Sequence, residues 1–323
     1  MKDRHGRDIT YLRLSLTGRC NFRCKYCLPE EGIEKLPRKE ILSFEEIVNL
    51  VRAAAELGIN KVRFTGGEPL TRKDLPGLVK MVSQIEGIND LSLTTNGSML
   101  SEVAEELSRS GLDRVNISID AVDPEIFSEI TRGGELGSVL AGIEAAKKAE
   151  LDPVKLNTVI MKGVNESEIG PLMEFAATED LVLRFIELMP MGEAAGGAIE
   201  PEPLNEVKKE VEREWSLEEV SGLPGNGPAE YYRASRGDLS GRVGFIFPLS
   251  KSFCDGCNRI RITSRGKVRP CLARDEEYDL EIEETTTVDE IRERLASVIE
   301  KKPYGHEWEN RDKTTGEMSE IGG

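Results

Sequence analysis

Histidine and long apolar segments are both scarce in this 323-residue chain. Only two histidines occur, His5 and His306, so a zinc site completed by histidine would have few ligands available. No apolar run approaches the ~20 residues that span a bilayer, and we expect no membrane segment. The charged residues near the N-terminus are not followed by an apolar segment, so we also expect no secretory signal.

A balance of charge is also missing, because acidic residues outnumber basic ones. Asp and Glu total 59 against 43 Lys and Arg, which gives a formal net charge of −16. We therefore expect no general affinity for nucleic acid or for a membrane surface. A polyanionic ligand would need a local basic pocket within this acidic chain. Hydrophobic residues make up 38% and charged residues 32%, a composition typical of a folded globular protein.

Cysteine occurs only six times, and three of the six lie close together. Cys20, Cys24 and Cys27 form a Cx3Cx2C motif that contains Phe22 and Tyr26. Three thiolates are one short of the four ligands of a [4Fe-4S] cluster, so one iron would stay open to another ligand. Zinc is the alternative, but it usually takes paired CxxC motifs and four ligands. The spacing and the two aromatic residues resemble the cluster loop of the radical S-adenosylmethionine (SAM) enzymes.

The other three cysteines form a second incomplete set. Cys254 and Cys257 form a CxxC motif, and thirteen residues separate Cys257 from Cys271. A lone CxxC motif most often binds zinc, whereas two incomplete triads in one chain indicate two iron–sulfur clusters, each with one reactive iron. Because all six cysteines are then used, we expect no disulfide and a reducing, cytoplasmic compartment.

Strand-like and helix-like segments alternate through the first two-thirds of the chain. This alternation predicts parallel β/α units, and six units predict an α/β fold with an open, partial (β/α)6 barrel of the TIM type. We predict a partial-barrel core over residues 1–220 and a smaller α+β domain, carrying the second cysteine triad, over residues 221–323. The predicted strands are residues 9–17, 61–65, 91–95, 115–120, 154–161 and 182–188, and the predicted helices are residues 43–58, 75–85, 100–110, 139–149 and 166–177.

A glycine-rich loop, Thr65-Gly66-Gly67-Glu68-Pro69, follows the second predicted strand. Barrel enzymes build their sites at the C-terminal ends of the strands. Paired glycines let the backbone approach a ligand closely, and Glu68 is a candidate acceptor for a ligand ammonium group. One unit after the Cx3Cx2C motif, this loop resembles the GGEP loop with which radical SAM enzymes hold the amino group of SAM. Ser118 lies at the C-terminal end of the fourth predicted strand, and Met189 follows the sixth, so both are at this same edge.

Six basic residues lie on or beside predicted strands. Arg259 and Arg261 alternate along a strand, so their side chains point to the same side of it. If that side faces the mouth of the barrel, the six cations converge on a phosphate-rich ligand, for which arginine is well suited. The six are Arg13, Arg63, Lys155, Arg259, Arg261 and Arg269.

From about Tyr11 to its C-terminus, the chain resembles the family of molybdenum cofactor biosynthesis protein A, the GTP 3′,8-cyclases. Three segments specific to that family carry the resemblance beyond the radical SAM features. They are residues 224–232 (Pro-Gly-Asn-Gly-Pro-Ala-Glu-Tyr-Tyr), residues 253–272 with the second cysteine triad, and the terminal pair Gly322-Gly323.

The resemblance implies roles for individual residues. The first cysteine triad would hold the [4Fe-4S] cluster that cleaves SAM, and the second triad would hold a [4Fe-4S] cluster near the guanine of GTP. The implied SAM contacts are Tyr26, Gly67, Ser118 and Met189. The implied GTP contacts are Arg13, Arg63, Thr94, Lys155 and the run Arg259-Ile260-Arg261.

The resemblance also implies a reaction and its partners. A radical derived from SAM would take hydrogen from C3′ of the ribose, and C3′ would then join C8 of the guanine. The product would be (8S)-3′,8-cyclo-7,8-dihydroguanosine 5′-triphosphate, an early intermediate of molybdenum cofactor biosynthesis. An electron donor and a downstream pyranopterin-forming enzyme would be partners, and a homodimer is left open.

Two other functions remain open from the sequence. One is a radical SAM enzyme that modifies peptides with the help of an auxiliary cluster, although such enzymes usually carry more C-terminal cysteines. The other is an iron–sulfur electron carrier, which would need neither the GGEP loop nor a barrel of this length. The family resemblance further implies that the C-terminal Gly322-Gly323 tail reaches the active-site cavity, whereas the default for a chain end is fraying.

Overall fold

Parallel strands alternating with helices form the centre of the molecule, as the sequence predicts. The computed structural model describes residues 1–33, 36–221, 227–306, 308, 314 and 318–322. Within these residues, six strands lie side by side in chain order, and all neighbouring pairs are parallel. They are β1 (Tyr11–Ser15), β2 (Lys61–Thr65), β3 (Asp90–Thr95), β4 (Arg114–Ser118), β5 (Lys155–Val159) and β6 (Val182–Ile186). The helices between them are α1 (Phe44–Glu56), α2 (Leu75–Ser83), α3 (Ala104–Arg109), α4 (Pro124–Thr131), α5 (Leu136–Lys148) and α6 (Ile169–Thr178).

Local sequence accounts for these elements. Ser43 and Glu46 form a capping box at the start of α1, in which the Glu46 carboxylate accepts the Ser43 N–H at 2.6 Å and Ser43 Oγ accepts the Glu46 N–H at 3.2 Å. The box satisfies donors that a helix start otherwise leaves unpaired. Gly58, with a φ of 87°, follows the end of the helix. All five residues of β2 are buried, as expected for a parallel strand covered on both faces.

The C-terminal part of the chain extends the same sheet at both edges. Its strands are β7 (Ser216–Val220), β8 (Glu230–Arg236), β9 (Leu239–Ile246), β10 (Arg259–Ile262), β11 (Lys267–Arg269) and β12 (Tyr278–Asp279). Strand β9 pairs in parallel with β6, and β10 pairs in parallel with β1. The described sheet therefore runs β12-β11-β10-β1-β2-β3-β4-β5-β6-β9-β8-β7. The division into residues 1–220 and 221–323 stays a prediction.

The sheet curves around one central cavity of about 190 Å³. Residues of β10, of β1 to β6, and of β9 and β8 all line this cavity. Because neighbouring strands lie roughly 4.8 Å apart, a flat array of these nine strands would be about 40 Å wide. One cavity of this size contacts all nine only if the sheet wraps around it. The two ends of the sheet remain unpaired in the described residues, so the barrel is partial.

Helices outside the parallel core complete the described fold. They are α7 (Leu204–Glu214), α8 (Val288–Glu300) and α9 (Met318–Ile321), and α8 packs against α1. Helix α4 is absent from the sequence-based prediction, and α3 begins only after a 3-10 turn at Leu100–Glu102. None of the helices in the described residues has the length and apolar character needed to cross a membrane.

Candidate active site

The two cysteine triads lie at opposite ends of the parallel strands. One is at the C-terminal edge of the sheet, where the strands end, and the other is at the N-terminal edge, where they begin. The first triad follows the C-terminal end of β1. Cys257 precedes β10, which runs parallel to β1, and therefore lies at the N-terminal edge. Cys271 follows β11, which is antiparallel to β10, and so returns to that same edge. Strands of about five residues at roughly 3.3 Å per residue separate the two edges. The central cavity lies between them, and all three cysteines of the second triad line it.

A short turn, anchored on α4, presents the first triad. The N–H groups of Cys27 and Leu28 both donate to the carbonyl of Cys24, at 2.9 and 3.1 Å. The N–H of Arg23 donates to the carbonyl of Thr131 at 3.2 Å, at the end of α4. All three thiols are free and partly buried. The unpredicted helix α4 thus fixes the loop that carries the cysteines.

The two glycines of the GGEP loop allow it to pack directly on the loop of the first triad. The N–H of Gly67 donates to the carbonyl of Thr17, and the N–H of Glu68 donates to the carbonyl of Arg19, both at 2.7 Å. A Cβ atom at Gly67 would overlap the carbonyl oxygen of Arg19. Gly66 has a φ of 148°, a conformation that other residues rarely adopt. The glycine requirement seen here therefore comes from contact between two loops.

The carboxylate of Glu68 is fully buried and accepts three donors of the protein. These are the N–H of Leu70 at 3.0 Å, the hydroxyl of Thr95 at 2.7 Å and the N–H of Asn96 at 2.6 Å. The contact of Glu68 with a ligand ammonium group stays a prediction. Burial raises the pKa of Glu68 to about 7 despite these bonds. The side chain ties the loop after β2 to the loop after β3.

Asn96 is a residue of this site that the sequence analysis missed. Its Nδ2 lies 3.9 Å from Cys20 Sγ and donates to the Asn21 side chain at 2.8 Å. Its backbone N–H donates to Glu68. The Asn96-Gly97 pair reads as an ordinary turn in the sequence, so its contact with a cysteine sulfur had no visible signal.

The other predicted SAM contacts lie near the same edge. The hydroxyl of Tyr26 donates to the carboxylate of Asp120 at 2.9 Å, and Asp120 also accepts the N–H of Val159 at 2.8 Å. Burial raises the pKa of Asp120 to about 6. Ser118 is the last residue of β4 and is partly exposed, and Met189 lines the central cavity beyond β6. Their role in binding SAM stays a prediction.

The surroundings of the first triad fit a site that needs a metal centre. Burial raises the pKa of Cys20 to about 11. Burial raises the pKa of Cys24 well above its usual value, and Asp120 and the two neighbouring thiols raise it further. The thiols of Cys20 and Cys24 are therefore protonated at neutral pH until a strong positive centre binds them, as in metal ligation. Three soft sulfur donors suit an iron–sulfur cluster.

The second triad has the opposite electrostatic setting. Burial would raise the pKa of Cys257, but Arg259 and Lys302 outweigh it and lower that pKa to about 6. Arg259 Nη2 lies 3.9 Å from Cys257 Sγ. No three His, Cys, Asp or Glu side chains of the described residues are arranged to hold a single metal ion. A single ion needs all its ligands in one coordination sphere, whereas a four-iron cluster takes one thiolate on each iron. Three cysteines can therefore suit a cluster although they do not form a site for a single ion.

Five of the six predicted cations line the central cavity: Arg13, Arg63, Lys155, Arg259 and Arg261. Arg269 is the exception and corrects the prediction, because it is buried in salt bridges with Asp275 at 3.0 Å and Glu277 at 3.4 Å. Thr94 also lines the cavity, 3.4 Å from Arg63 Nη1. The side chain of Ile260 is instead part of the hydrophobic core and fully buried.

Three of these arginines form a row across adjacent strands. Arg261 and Arg13 are register partners on β10 and β1, and Arg13 and Arg63 are register partners on β1 and β2. We call Arg261, Arg13 and Arg63 the three-arginine row. Among the described residues, the buried Nε atoms of Arg63 and Arg261 have no hydrogen-bond partner. Burial lowers the pKa of Arg261 to about 9, and Arg13 and Arg259 contribute to this shift.

Neighbouring groups report the same surplus of positive charge. Burial would raise the pKa of Tyr11, but Arg63, Arg13 and Lys61 lower it to about 8. Burial lowers the pKa of Lys155 to about 7, and Arg184 is the strongest of the cations that lower it further. Like charges that face each other on paired strands destabilise a sheet, and a bound anion offsets that repulsion. The charges of this cavity therefore favour an anionic ligand.

Several residues that line the cavity were not predicted. Arg184 interrupts the apolar strand β6, and its Nη2 donates to Asn157 at 2.5 Å. That interruption was a usable signal, because parallel strands normally read as continuous apolar runs. His306 had no such signal; its ring stacks on Trp308 with centroids 5.0 Å apart, and its two buried nitrogens lack partners among the described residues. The further unpredicted lining residues include Asn116, Asn157, Tyr231 and Lys302.

The C-terminal tail reaches the edge that carries the first triad. Ser319 and Ile321 are buried, and Gly322 donates its N–H to the carbonyl of Met318 at 3.1 Å. Gly322 has a φ of 79°, and a Cβ atom there would overlap the side chain of Thr65. Gly323 lies outside the described residues, as do Pro224, Gly225 and Asn226 of the family-specific segment 224–232.

Family models divide the chain along the same lines as the two cysteine triads. The Radical SAM superfamily matches residues 14–176, and Molybdenum Cofactor Synthesis C matches residues 181–308. Sequence relatives match the entire chain over their own full length. A protein of Alkaliphilus metalliredigens is 46% identical, one of Pelotomaculum thermopropionicum 45% and one of Moorella thermoacetica 44%, and all three are named GTP 3′,8-cyclase.

The fold and site are those of a radical SAM protein. Within that superfamily the chain belongs to the GTP 3′,8-cyclase family, as identities of 41–46% over the full chain show. Among solved structures, Streptococcus suis SuiB bound to S-adenosylmethionine matches with a TM-score of 0.62 at 15% identity. The match covers 87% of this chain and 65% of that one, and it shows the fold.

The contact between the GGEP loop and the cysteine loop generates a prediction with a matched control. Gly67→Ala should lower the iron bound by the first triad and lower SAM cleavage, because the new Cβ overlaps the Arg19 carbonyl at a cost of about 1–3 kcal/mol. Gly18→Ala, in the facing loop, should be tolerated, since its Cβ would lie 3.4 Å from Glu320 Cγ. Iron per chain after anaerobic reconstitution is the measurement. Wild-type iron content and SAM cleavage in Gly67→Ala would contradict the prediction.

Proposed function

We propose that this protein binds GTP in the central cavity and converts it, with SAM, to (8S)-3′,8-cyclo-7,8-dihydroguanosine 5′-triphosphate, an early step of molybdenum cofactor biosynthesis. One observation carries the proposal. A chain with a net charge of −16 lines a single cavity with arginines and lysines, and that cavity is bounded by the second cysteine triad. Full-length relatives named GTP 3′,8-cyclase supply the identity of the anion.

The three-arginine row and Lys155 are the proposed triphosphate site. Guanidinium groups bind phosphate oxygens through paired, charge-assisted hydrogen bonds. Arg63 and Arg261 each keep a buried Nε without a partner among the described residues, so donors remain available to an incoming phosphate. Binding of a triphosphate would also relieve the repulsion between these cations. The repulsion that destabilises the cavity without a ligand therefore makes the free energy of anion binding more favourable.

The two cysteine triads are the proposed ligands of two [4Fe-4S] clusters. A reduced cluster with an open iron supplies the electron with which SAM is cleaved to a hydrogen-abstracting radical. The chain's residues bind and orient the substrate within the cavity between the triads. The wrapped sheet limits access of water, which matters because a carbon radical reacts with any nearby group. Tyr26, Gly67, Ser118 and Met189 are the proposed SAM contacts.

We further propose partners that follow from this reaction. An electron donor must reduce the first cluster, and a pyranopterin-forming enzyme must take up the cyclised nucleotide. The six cysteines, all assigned to clusters, suit the reducing cytoplasm. A homodimer remains an open prediction for the oligomeric state.

Variants of the two triads test the function. Wild-type protein incubated anaerobically with SAM, a strong reductant and GTP should form the cyclised nucleotide, identified by mass spectrometry. Cys24→Ser should abolish SAM cleavage. Cys257→Ser should keep some uncoupled cleavage but stop cyclisation, because the second cluster would no longer help to position the guanine. Aggregation is controlled by gel filtration, since clusters also support folding. Equal loss of both activities in both variants would contradict this division of roles.

The lowered pKa of Lys155 generates a pH prediction. Near pH 7 about half of this side chain is protonated, and a phosphate binds the protonated form, so GTP binding raises its pKa. GTP affinity should therefore fall as pH rises above 7, by at most about tenfold per pH unit. Lys155→Arg should flatten this decline, because arginine stays charged. Titration calorimetry between about pH 6.5 and about pH 8.5 measures both slopes.

The terminal phosphate of GTP loses its last proton at about pH 6, which strengthens binding as pH rises and so opposes this trend. The effect is the same for wild type and Lys155→Arg. The difference between the two slopes therefore isolates Lys155. Identical slopes in wild type and Lys155→Arg would remove Lys155 from the phosphate site.

The packing of the tail generates a further prediction. Deletion of Gly322 and Gly323, or addition of a C-terminal tag, should lower cyclisation about ten- to a hundredfold, because the reacting groups beside the first triad would be misplaced. Gly322→Ala should act in the same direction, since its Cβ overlaps Thr65. Iron content and GTP binding should persist in each protein. Product formation is the readout, and full activity in the truncated protein would assign the tail to a dispensable, frayed end.

A further inference from the structure

The N-terminal loop, residues 3–7, contacts the second triad although it lies outside both family matches. Arg7 makes this contact and is only 8% exposed, and its hydrogen-bond partner Asp3 is 6% exposed. Neither residue lines the central cavity. A buried arginine this close to a chain end requires partners that compensate for its lost hydration.

The loop orients Arg7 through its own hydrogen bonds. Asp3 Oδ1 accepts the backbone N–H groups of His5 and Arg7, at 2.9 and 3.0 Å. Asp3 Oδ2 accepts Arg7 Nε at 2.7 Å. Gly6, with a φ of 80°, allows the tight turn between them. The carboxylate therefore fixes one edge of the guanidinium, since Asp3 Oδ2 also lies 2.7 Å from Nη2, and the two terminal nitrogens still have protons to donate outside the loop.

Those two nitrogens donate to three backbone carbonyls near the second triad. Nη1 donates to the carbonyl of Cys254 at 2.8 Å and to that of Tyr304 at 2.6 Å. Nη2 donates to the carbonyl of Pro303 at 2.7 Å. Hydrogen bonds from a charged donor are roughly twice as strong as neutral ones. Arg7 thus joins the CxxC turn to a segment more than forty residues further along the chain.

Both joined segments belong to the site. The Cys254 carbonyl also accepts the N–H of Cys257 at 3.2 Å, the bond that closes the CxxC turn. The second segment brings Lys302 and His306 to the central cavity beside the triad. A Cβ atom at Gly305 would lie 3.3 Å from Cys254 Sγ, so this segment packs directly on the cysteine. Displacement of either segment would move a sulfur ligand or a cavity wall.

We propose that Arg7 is a positioning residue for the second cluster, holding the Cys254 ligand and the 303–306 segment in the arrangement that retains it. The inference rests on the second cluster of the proposed function. Arginine suits this role because a planar guanidinium reaches one carboxylate and three carbonyls at once, whereas the ammonium of lysine is a single point with three donors. The N-terminal loop is then a part of the second cluster's site.

The test compares iron binding in full-length, anaerobically reconstituted variants. Arg7→Met should lose about half of the total iron, since one of two four-iron clusters is lost. In a Cys24→Ser background, where the second cluster holds the remaining iron, Arg7→Met should lose nearly all of it together with the electron paramagnetic resonance signal of the reduced protein. Arg7→Lys and Asp3→Asn should give intermediate losses. SAM cleavage without GTP should persist in Arg7→Met.

Arg4→Met is the matched control, because Arg4 lies in the same loop, is exposed and, among the described residues, forms its side-chain hydrogen bond with His5. It should keep both clusters. Retention of both clusters with unchanged spectra in Arg7→Met, or equal loss from both triads, would overturn the proposal. If Arg7→Met proves insoluble, Arg7→Lys and Asp3→Asn decide: an unchanged second-cluster signal in both overturns it.

These readouts separate the inference from the proposed function, because none of them uses GTP. Failure of the wild type to convert GTP would overturn the function and leave the role of Arg7 intact. Wild-type protein with only about four irons per chain would instead overturn the second cluster, and with it this inference.

Discussion

Repulsion among buried cations is the constraint on which the site depends. The three-arginine row places three arginines in register on adjacent strands, whose backbones lie about 4.8 Å apart, so that each opposes the charge of the next. The pKa of Arg261 is lowered to about 9, which still leaves it charged at neutral pH. The net negative charge of the chain cannot cancel this field, because the balancing carboxylates lie elsewhere on an acidic exterior. The fold tolerates the row because the surrounding strands and helices supply an extensive apolar core.

The direction of β10 gives this charge its place in the chemistry. Since β10 runs parallel to β1, the second triad lies at the edge opposite the first, and the cations fill the space between. An antiparallel β10 would have brought both triads to one edge. The two edges differ in electrostatics: the pKa of Cys24 is raised and that of Cys257 is lowered to about 6.

Sequence patterns predicted the parallel core and five of the cations in the cavity wall, because both are local in origin. Strand alternation points Arg13, Arg63 and Lys155 inward wherever the neighbouring residues are apolar. The same rule placed Arg269 wrongly, because its partners Asp275 and Glu277 come from a loop whose path the sequence does not specify. The three donors to Glu68 were not predicted for the related reason that they come from neighbouring backbone and from the end of β3. The attachment of β9 and β10 to opposite edges depends on long-range pairing, which periodicity does not encode.

The N-terminal loop and the C-terminal tail pack beside different cysteine triads. The N-terminal loop holds the second triad through Arg7, and the C-terminal tail packs on the edge of the first triad through Ile321 and Gly322. Chain ends are normally the least ordered parts of a domain, so burying both requires a compensating benefit. An enclosed radical reaction supplies one, since misplaced or solvent-exposed reactants lose both rate and selectivity.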